Sequence, residues 1–324
     1  MTDSRVLITG GAGFVGSFIA EQLLAKGVRE IVIIDNLIRG SLNNIKEVMS
    51  SKKATFIEGD IRDILLLEKA FKDIDYCFHM AALRITHCIE SPKDAVEVMI
   101  NGTFNVADAC VKHKVKKLVA ASSASVYGAA DTFPTREDHH PYNNRTLYGA
   151  AKMADELMLR AFNSMYGLDY NAMRYFNIYG PRMDIHGKYT EVLIRWYDAI
   201  RSGRRPLIYG DGKQTMDFIY VEEVARSTIL AMNMPYSDEV FNIASGRETS
   251  LEGLCSLLLK VMKSDLKPEY VPISDTRKKV EVIRRLADIT KAKKDLSFQS
   301  KISLEEGLGR LVSWLDQERK EAKV

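Results

Sequence analysis

Arg5–Gly16 reads RVLITGGAGFVG. The pentad RVLIT is a short apolar run without polar alternation, the pattern of a strand buried on both faces. Glycines follow at once, and Phe14 opens a helical periodicity that runs to Lys26. The glycines fall as G-x-G-x-x-G at Gly11, Gly13 and Gly16, and as G-x-x-G-x-x-G at Gly10, Gly13 and Gly16. Glycine lets a backbone turn tightly and approach a pyrophosphate, while the helix N-terminus offers N–H donors and positive potential. A strand, a glycine turn and a helix in this order predict a dinucleotide contact through Gly10, Gly13, Phe14, Val15 and Gly16.

The same alternation continues outward. Glu30–Ile34, Ala54–Glu58, Ile74–His79, Lys117–Ser122 and Tyr170–Tyr175 read as strands. Helices are predicted near 63–71, 93–113 and 147–166. Apolar strands separated by amphipathic helices give a doubly wound parallel α/β sheet, by the handedness of the crossover. Beyond Gly180 the pattern loosens: short strands at Pro206–Tyr209 and Val240–Ile243 mix with helices near 221–232, 251–261 and 304–317. The expected organisation is a nucleotide-binding domain over residues 1–178 and a smaller mixed α/β lobe over 179–324, some elements of which cross back.

Asp35 ends the second strand about twenty residues after the last glycine, where a carboxylate accepts from both ribose hydroxyls and repels a 2′-phosphate. This favours NAD over NADP, although Arg39 lies close by; Asn36 belongs to the same loop. Asp60 and Ile61 follow the third strand. Asp60 is placed either to contact adenine or to cap the next helix.

Tyr148 and Lys152, in YGAAK, stand one helical turn apart on one face. Free tyrosine titrates near about 10, so it is a weak base at neutral pH. A nearby ammonium favours the phenolate, which can then take a proton from a hydroxyl while hydride leaves the same carbon. Ser122–Gly128 (SSASVYG) ends the fifth strand, at the carboxyl edge where open α/β sheets bind ligands. Its serines either bridge a substrate oxygen or satisfy turn backbone.

Taken together, GGAGFVG, DNL, GDIRD, HMAAL, NGTFNV, SSASVYG, YGAAK, RYFNIYGPR and LADITKAKK resemble the extended short-chain dehydrogenase/reductase family, in its nucleotide-sugar epimerase branch. The resemblance spans nearly the whole chain. It implies Ser123, Tyr148 and Lys152 as a catalytic triad. It also implies Ala81, Ala82, Leu83, Ser122 and Tyr175 along the NAD, Asn177 and Ser125 near the substrate, and Tyr209 near the nucleotide base. The implied reaction is inversion at C4 of a nucleotide-linked hexose, most simply a UDP-sugar, through a transient 4-keto sugar that turns over before hydride returns. Ala124-Ser125 replace the Asp-Glu of the family's dehydratases, so the acid–base pair for dehydration is missing.

One departure concerns charge. Met216 stands where relatives carry a diphosphate-binding arginine, and methionine cannot replace it. Arg182, Arg277 and the Arg284–Arg285 pair are the candidate substitutes, and Arg84 is placed to face the substrate. Arg285 also falls near the family's sugar-size gate, where an arginine suits a carboxylate such as that of glucuronic acid. A UDP-glucuronate or UDP-N-acetylhexosamine 4-epimerase, a 4-keto-sugar reductase and a non-enzymatic dinucleotide sensor are the alternatives.

The 324 residues carry a net charge of +3, too small to argue for nucleic acid. No apolar run is long enough to cross a bilayer. Cys77, Cys88, Cys110 and Cys255 show no zinc spacing and read as packed residues. The His139–His140 pair has no matching ligand set, His79 reads as packed or hydrogen-bonded, and no metal is expected. The chain enters its first strand without room for a secretory leader, so a cytoplasmic location is expected. By resemblance, the helices near 93–113 and 147–166 pair in a homodimer.

Overall fold

The computed structural model describes residues 3–185, 191–273 and 282–321. The apolar pentad forms β1 (Arg5–Thr9), with Val6, Leu7 and Ile8 inaccessible to solvent. Burial of each such side chain contributes roughly 1.5–3 kcal/mol. β2 (Glu30–Asp35), β3 (Ala54–Glu58), β4 (Tyr76–His79), β5 (Lys117–Ser123) and β6 (Tyr170–Tyr175) follow in sequence. With β10 (Glu239–Ile243) they make one seven-stranded sheet in the order β3-β2-β1-β4-β5-β6-β10. Every pairing in it is parallel. The strand order reverses between β1 and β4, the switch point at which α/β sheets open a crevice beyond their carboxyl ends.

Helices cover both faces. On one, Ile19 of helix Phe14–Ala25 and Val224 and Ile229 of helix Val221–Met232 pack with Ile8, Ile33, Val119 and Phe241. On the other, Leu67, Val106 and Leu159 from helices Ile64–Ala70, Gly102–Lys112 and Leu147–Tyr166 pack with Leu7, Val32 and Leu118. The helical run predicted near 93–113 has an internal break: Ala95–Asn101 is π-helical, ahead of Gly102–Lys112. Such wide turns arise where a side chain or close packing interrupts the regular ladder.

After β6 the chain builds a smaller lobe from segments on both sides of β10. β7 (Asn177–Tyr179), β9 (Thr215–Tyr220) and β11 (Glu248–Ser250) form a mixed sheet, and β8 (Leu207–Tyr209) pairs with β12 (Glu269–Val271). Helices Val192–Arg201, Leu251–Val261 and Leu304–Glu321 enclose a separate core that includes Trp196, Tyr197, Leu254 and Leu311. The chain also returns to the first domain. Val221–Met232 packs on Phe14–Ala25, and β10 pairs beside β6 at the edge of the main sheet. The buried run of β10 identifies a strand, but its partner is set by the crossover helix that precedes it. Among the described residues, no helix is long and apolar enough to cross a membrane.

Candidate active site

The turn after β1 is held by close backbone packing. Gly10 adopts φ +66°, and a Cβ there would lie 2.7 Å from Ala81 Cα, so only glycine lets the turn meet the segment after β4. A cleft of about 890 Å³ opens above it at the switch point. Gly10, Gly13, Phe14, Val15 and Gly16 line it, as do Ala81, Ala82 and Leu83 opposite. Its size suits an extended ligand.

At the end of β2, Asp35 accepts from the amides of Ala12 (3.0 Å) and Leu37 (2.9 Å). Burial raises its pKa, against those amides and the positive charge of Arg39. Asn36, Arg39, Asp60 and Ile61 share this end of the cleft. Asp60 is fully engaged: Arg62 donates to both its oxygens, at 2.9 and 2.8 Å, and Asn36 Nδ2 donates to Oδ2 at 3.0 Å. The Arg62 hydrogen bonds hold its carboxyl down at about 2. The cap of helix Ile64–Ala70 is Asp63 instead, which accepts from Leu66 N at 3.0 Å.

Arg39 and Arg84 meet over the cleft. They share Asp184, at 4.0 and 3.5 Å, and Arg84 also reaches Glu191 at 3.6 Å. Burial and the neighbouring Arg84 push the Arg39 guanidinium down to about 10, opposed by Asp184 and Glu191. Arg182 lines the cleft but is turned to Phe14–Ala25. It donates to Ser17 Oγ at 3.1 Å, pairs with Glu21 and lies 4.3 Å above the Phe18 ring.

The helix carrying Tyr148 and Lys152 begins at the N-cap Thr146, whose hydroxyl accepts from Gly149 N at 3.1 Å. Gly149 fixes its position. A Cβ there would stand 2.4 Å from Ser125 O and 2.6 Å from Asn144 Oδ1, so the helix packs directly on the turn after β5. Tyr148 and Lys152 line the same cleft as the glycine turn and Asp35. Lys152 Nζ donates to Ala121 O at 2.7 Å. Ser125 faces the cleft, whereas Ser122 lines it with its hydroxyl donated to Glu156 Oε1. Ser123 lies outside the lining. Its Oγ accepts from Ser125 N at 3.1 Å, which leaves the hydroxyl proton to donate elsewhere. Tyr175 lines the cleft and shares a 2.7 Å hydrogen bond with Thr228; burial raises its pKa strongly.

Asn177, Tyr209 and Arg285 also fall outside that lining, and Arg277 lies outside the described residues. Asn177 Oδ1 is buried without a hydrogen-bond partner among the described residues. Arg284 and Arg285 lie on an extended segment pinned to Thr215, with Arg285 N donating to Thr215 O at 2.9 Å. Arg284 turns out to Glu248, at 2.6 and 2.9 Å. Successive side chains of extended chain point to opposite sides, so Arg285 faces inward. Its Nε is buried without a partner among the described residues. Burial lowers its pKa, and Tyr148 is the group that opposes the shift.

Sequence reasoning passed over Asp217, Glu156 and Asp131, and it read His79 as packed or hydrogen-bonded. The MDF motif carries Asp217, which is inaccessible and accepts from Ser245 N (2.9 Å), Ser245 Oγ (2.7 Å) and Gly246 N (3.0 Å). Asp217 is therefore a structural clasp beside Met216. Glu156, one turn beyond Lys152, accepts two hydrogen bonds from Arg174. His79 is hydrogen-bonded on both nitrogens, to Thr9 (2.7 Å) and Thr103 (3.0 Å). His139 and His140 both meet Asp131, at 2.9 and 3.1 Å, and hold its carboxyl down at about 2. These are ion-pair distances, and they close the loop before Thr146.

A sequence profile of the NAD dependent epimerase/dehydratase family matches residues 6–244. A relative in Methanocaldococcus jannaschii, named as a putative UDP-glucose 4-epimerase, is 36% identical over 96% of this chain and 98% of its own. Among solved structures, the UDP-N-acetylglucosamine 4-epimerase of Methanobrevibacter ruminantium, in complex with UDP-N-acetylmuramic acid, is similar at a TM-score of 0.92. It is 35% identical, over 98% of this chain and 100% of that one. The UDP-glucose 4-epimerase of Thermotoga maritima, with UDP-glucose, gives a TM-score of 0.89 at 34% identity, over 97% and 99% of the two chains.

Proposed function

The chain belongs to the NAD-dependent epimerase/dehydratase family, and from that premise we propose that it is an NAD-dependent 4-epimerase of a UDP-linked hexose. One observation carries the reading. Tyr148 and Lys152, one turn apart, line the same cleft as the glycine turn and Asp35. A proton acceptor and a dinucleotide cradle therefore share one space. The cradle's chemistry fits NAD: N–H donors at a helix start and an acid at the end of β2.

In this reading Tyr148 takes the proton of the C4 hydroxyl and later returns it. Lys152, held on Ala121 O, keeps positive charge beside the phenol. Ser123 and Ser125, at the end of β5, hold the reacting oxygen. Bound NAD supplies the acceptor of the C4 hydride and its donor on return. Residues 1–178 serve as the NAD-binding domain. Residues 179–324, apart from the helix and strand that cross back, carry the nucleotide-sugar, with Tyr209 toward the base, and Asn177, at the end of the first domain, toward the diphosphate.

A second reading concerns the sugar. The inward Arg285 Nε, without a hydrogen-bond partner among the described residues, favours an acidic hexose such as UDP-glucuronate, because a buried guanidinium is stabilised most by a carboxylate.

Both readings are tested by incubating the purified protein and catalytic NAD with UDP-glucose, UDP-N-acetylglucosamine or UDP-glucuronate. Interconversion of C4 epimers without net cofactor consumption is expected. Turnover only with stoichiometric NADH or NADPH would identify a reductase, and no turnover of a broad panel would favour a sensor. Tyr148→Phe should keep fold and NAD but lose most activity; near-normal rates would remove Tyr148 as the base.

A homodimer is proposed on the helices Gly102–Lys112 and Leu147–Tyr166. Phe104 and Tyr166 are exposed there on either side of Phe162, with ring centroids 5.5 and 5.3 Å from it. Sedimentation as a monomer at micromolar concentration would refute it. A cytoplasmic location is supported by four free, buried cysteines.

A further inference from the structure

Asp155 has no part in the chemistry above, yet it is one of the most enclosed charges in the catalytic helix. Tyr148, Lys152 and Asp155 stand at i, i+4 and i+7, on one face. The side chains of Lys152 and Asp155 are 3% and 6% exposed, with Nζ 3.5 Å from Asp155 Oδ2. Asp155 Oδ1 is buried without a hydrogen-bond partner in the described residues. The carboxylate thus meets a cation on one oxygen only, with a weaker lowering contribution from the Thr103 hydroxyl.

Among the described residues, the surrounding elements supply no second cation in contact with Asp155. Glu156, on the same helix, repels Asp155 but is committed to Arg174 of β6 and to Ser122 of β5. From helix Gly102–Lys112, Thr103 faces Asp155; its hydroxyl donates to Met99 O at 2.5 Å and meets His79 Nε2 of β4. His79 Nδ1 faces Thr9. Burial and the Lys152 charge push His79 down to about 3, so it stays neutral. Cys88, from helix Ile85–Glu90, faces Lys152 and is pushed up by burial. Glu97 of the π-helical turn is taken up by Asn101. Lys152 is therefore the single cation in contact with Asp155 among these groups.

We propose that Asp155 is a positioning residue and a switchable counter-charge: ionised, it offsets the Lys152 ammonium, and protonated, it releases that charge toward Tyr148. The proposal rests on Tyr148 as the base. Burial raises the Asp155 carboxyl to about 6, against the pull of Lys152, which puts the change in the working range of pH. As pH falls, uptake of a proton by Asp155 leaves the Lys152 ammonium less offset, and a stronger positive field at the phenol favours its charged form. Activity then extends further into acid than a fixed ion pair allows. Seven residues of helix separate Asp155 from Tyr148 by about 10.5 Å. A unit charge at that distance, with an effective dielectric constant of about 20, shifts a titration by roughly one pH unit.

The test uses the NAD-loaded protein and its Asp155→Asn variant. The acid limb of kcat/KM should move to lower pH by about half to one unit, with the same displacement in the tyrosinate ultraviolet absorbance that Tyr148→Phe removes. Asp155→Glu, which restores the carboxylate, should return the limb toward the wild-type position. An unmoved or alkaline-shifted limb overturns the proposal, as does a uniform loss of rate at every pH, the mark of a merely structural residue. If Asp155→Asn fails to fold, Asp155→Ala carries the same expectation. An active Tyr148→Phe would instead overturn the base assignment, whatever Asp155 does.

Discussion

Arg174 and Glu156 form a buried two-pronged pair. Arg174 Nε donates to Glu156 Oε1 at 2.9 Å, and Nη2 donates to Oε2 at 2.6 Å. The pair fastens β6 to the helix Leu147–Tyr166, and the Ser122 hydroxyl, on the same Oε1, adds the end of β5. Three elements that carry the candidate active site therefore share one carboxylate.

Removing one member should be costly. Arg174→Met leaves Glu156 enclosed without its cation and should destabilise the fold by about 3–5 kcal/mol. Urea unfolding of the variant measures this; a loss below about 1 kcal/mol would show that the helix is held by other contacts.

Gly149→Ala should damage the rate more than the fold. Alanine is the better helix former by about 1 kcal/mol, but its Cβ would stand 2.4 Å from Ser125 O. The helix must shift, and Tyr148 with it. Small misplacements at a reacting centre cost up to about a hundredfold. We expect a drop of at least about tenfold in kcat with NAD affinity retained. Unchanged kcat would show that the turn after β5 yields instead.

Asp35→Ser should weaken NAD binding by about ten- to a hundredfold, the value of charge-assisted hydrogen bonds to the ribose. It should also reduce discrimination against NADP, since Arg39 remains nearby. Titration calorimetry with both dinucleotides checks it. Equal NAD affinity in variant and wild type would remove Asp35 from the cofactor contacts.

Asp217 gives a pH dependence of stability with a defined sign. Burial raises its carboxyl from 3.8 to about 6. Between those values the folded chain holds the proton more tightly than the unfolded chain, so stability from this group falls as pH rises through the window. The change amounts to about 3 kcal/mol across the window. Wild-type stability minus that of Asp217→Asn should therefore fall from about pH 4 to about pH 6, as followed by denaturant unfolding. A rise in that quantity over the window would contradict the burial of this carboxyl.

Much of the first domain was legible because its signals are local. RVLIT is β1 as read, and the glycine turn opens Phe14–Ala25. The YGAAK pair is set by helical spacing alone. The π-helical turn at Ala95–Asn101 was not legible, because its hydrophobic pattern hardly differs from that of a regular helix. Asp131 could not be matched to His139 and His140, because a folded loop, not a spacing rule, brings them together. Asp155 and Glu156 read as an ordinary polar stretch. Asp155 meets Lys152 one turn back on the same helix, whereas Glu156 meets Arg174 only because β6 lies beside that helix, and burial, which no local pattern announces, makes both pairs matter.

The sequence alone determined the class of sheet, the place of the glycine turn and the order of acid, serine, tyrosine and lysine along the chain. These follow from periodicity and from backbone freedom, which act over a few residues. Only the tertiary structure decided that Arg182 turns to Glu21, that Arg285 faces inward, that Asp217 is a clasp and that β10 completes the first sheet. Charges and strand edges take the partner that removes them from water at least cost. That partner is set by packing between segments far apart in sequence.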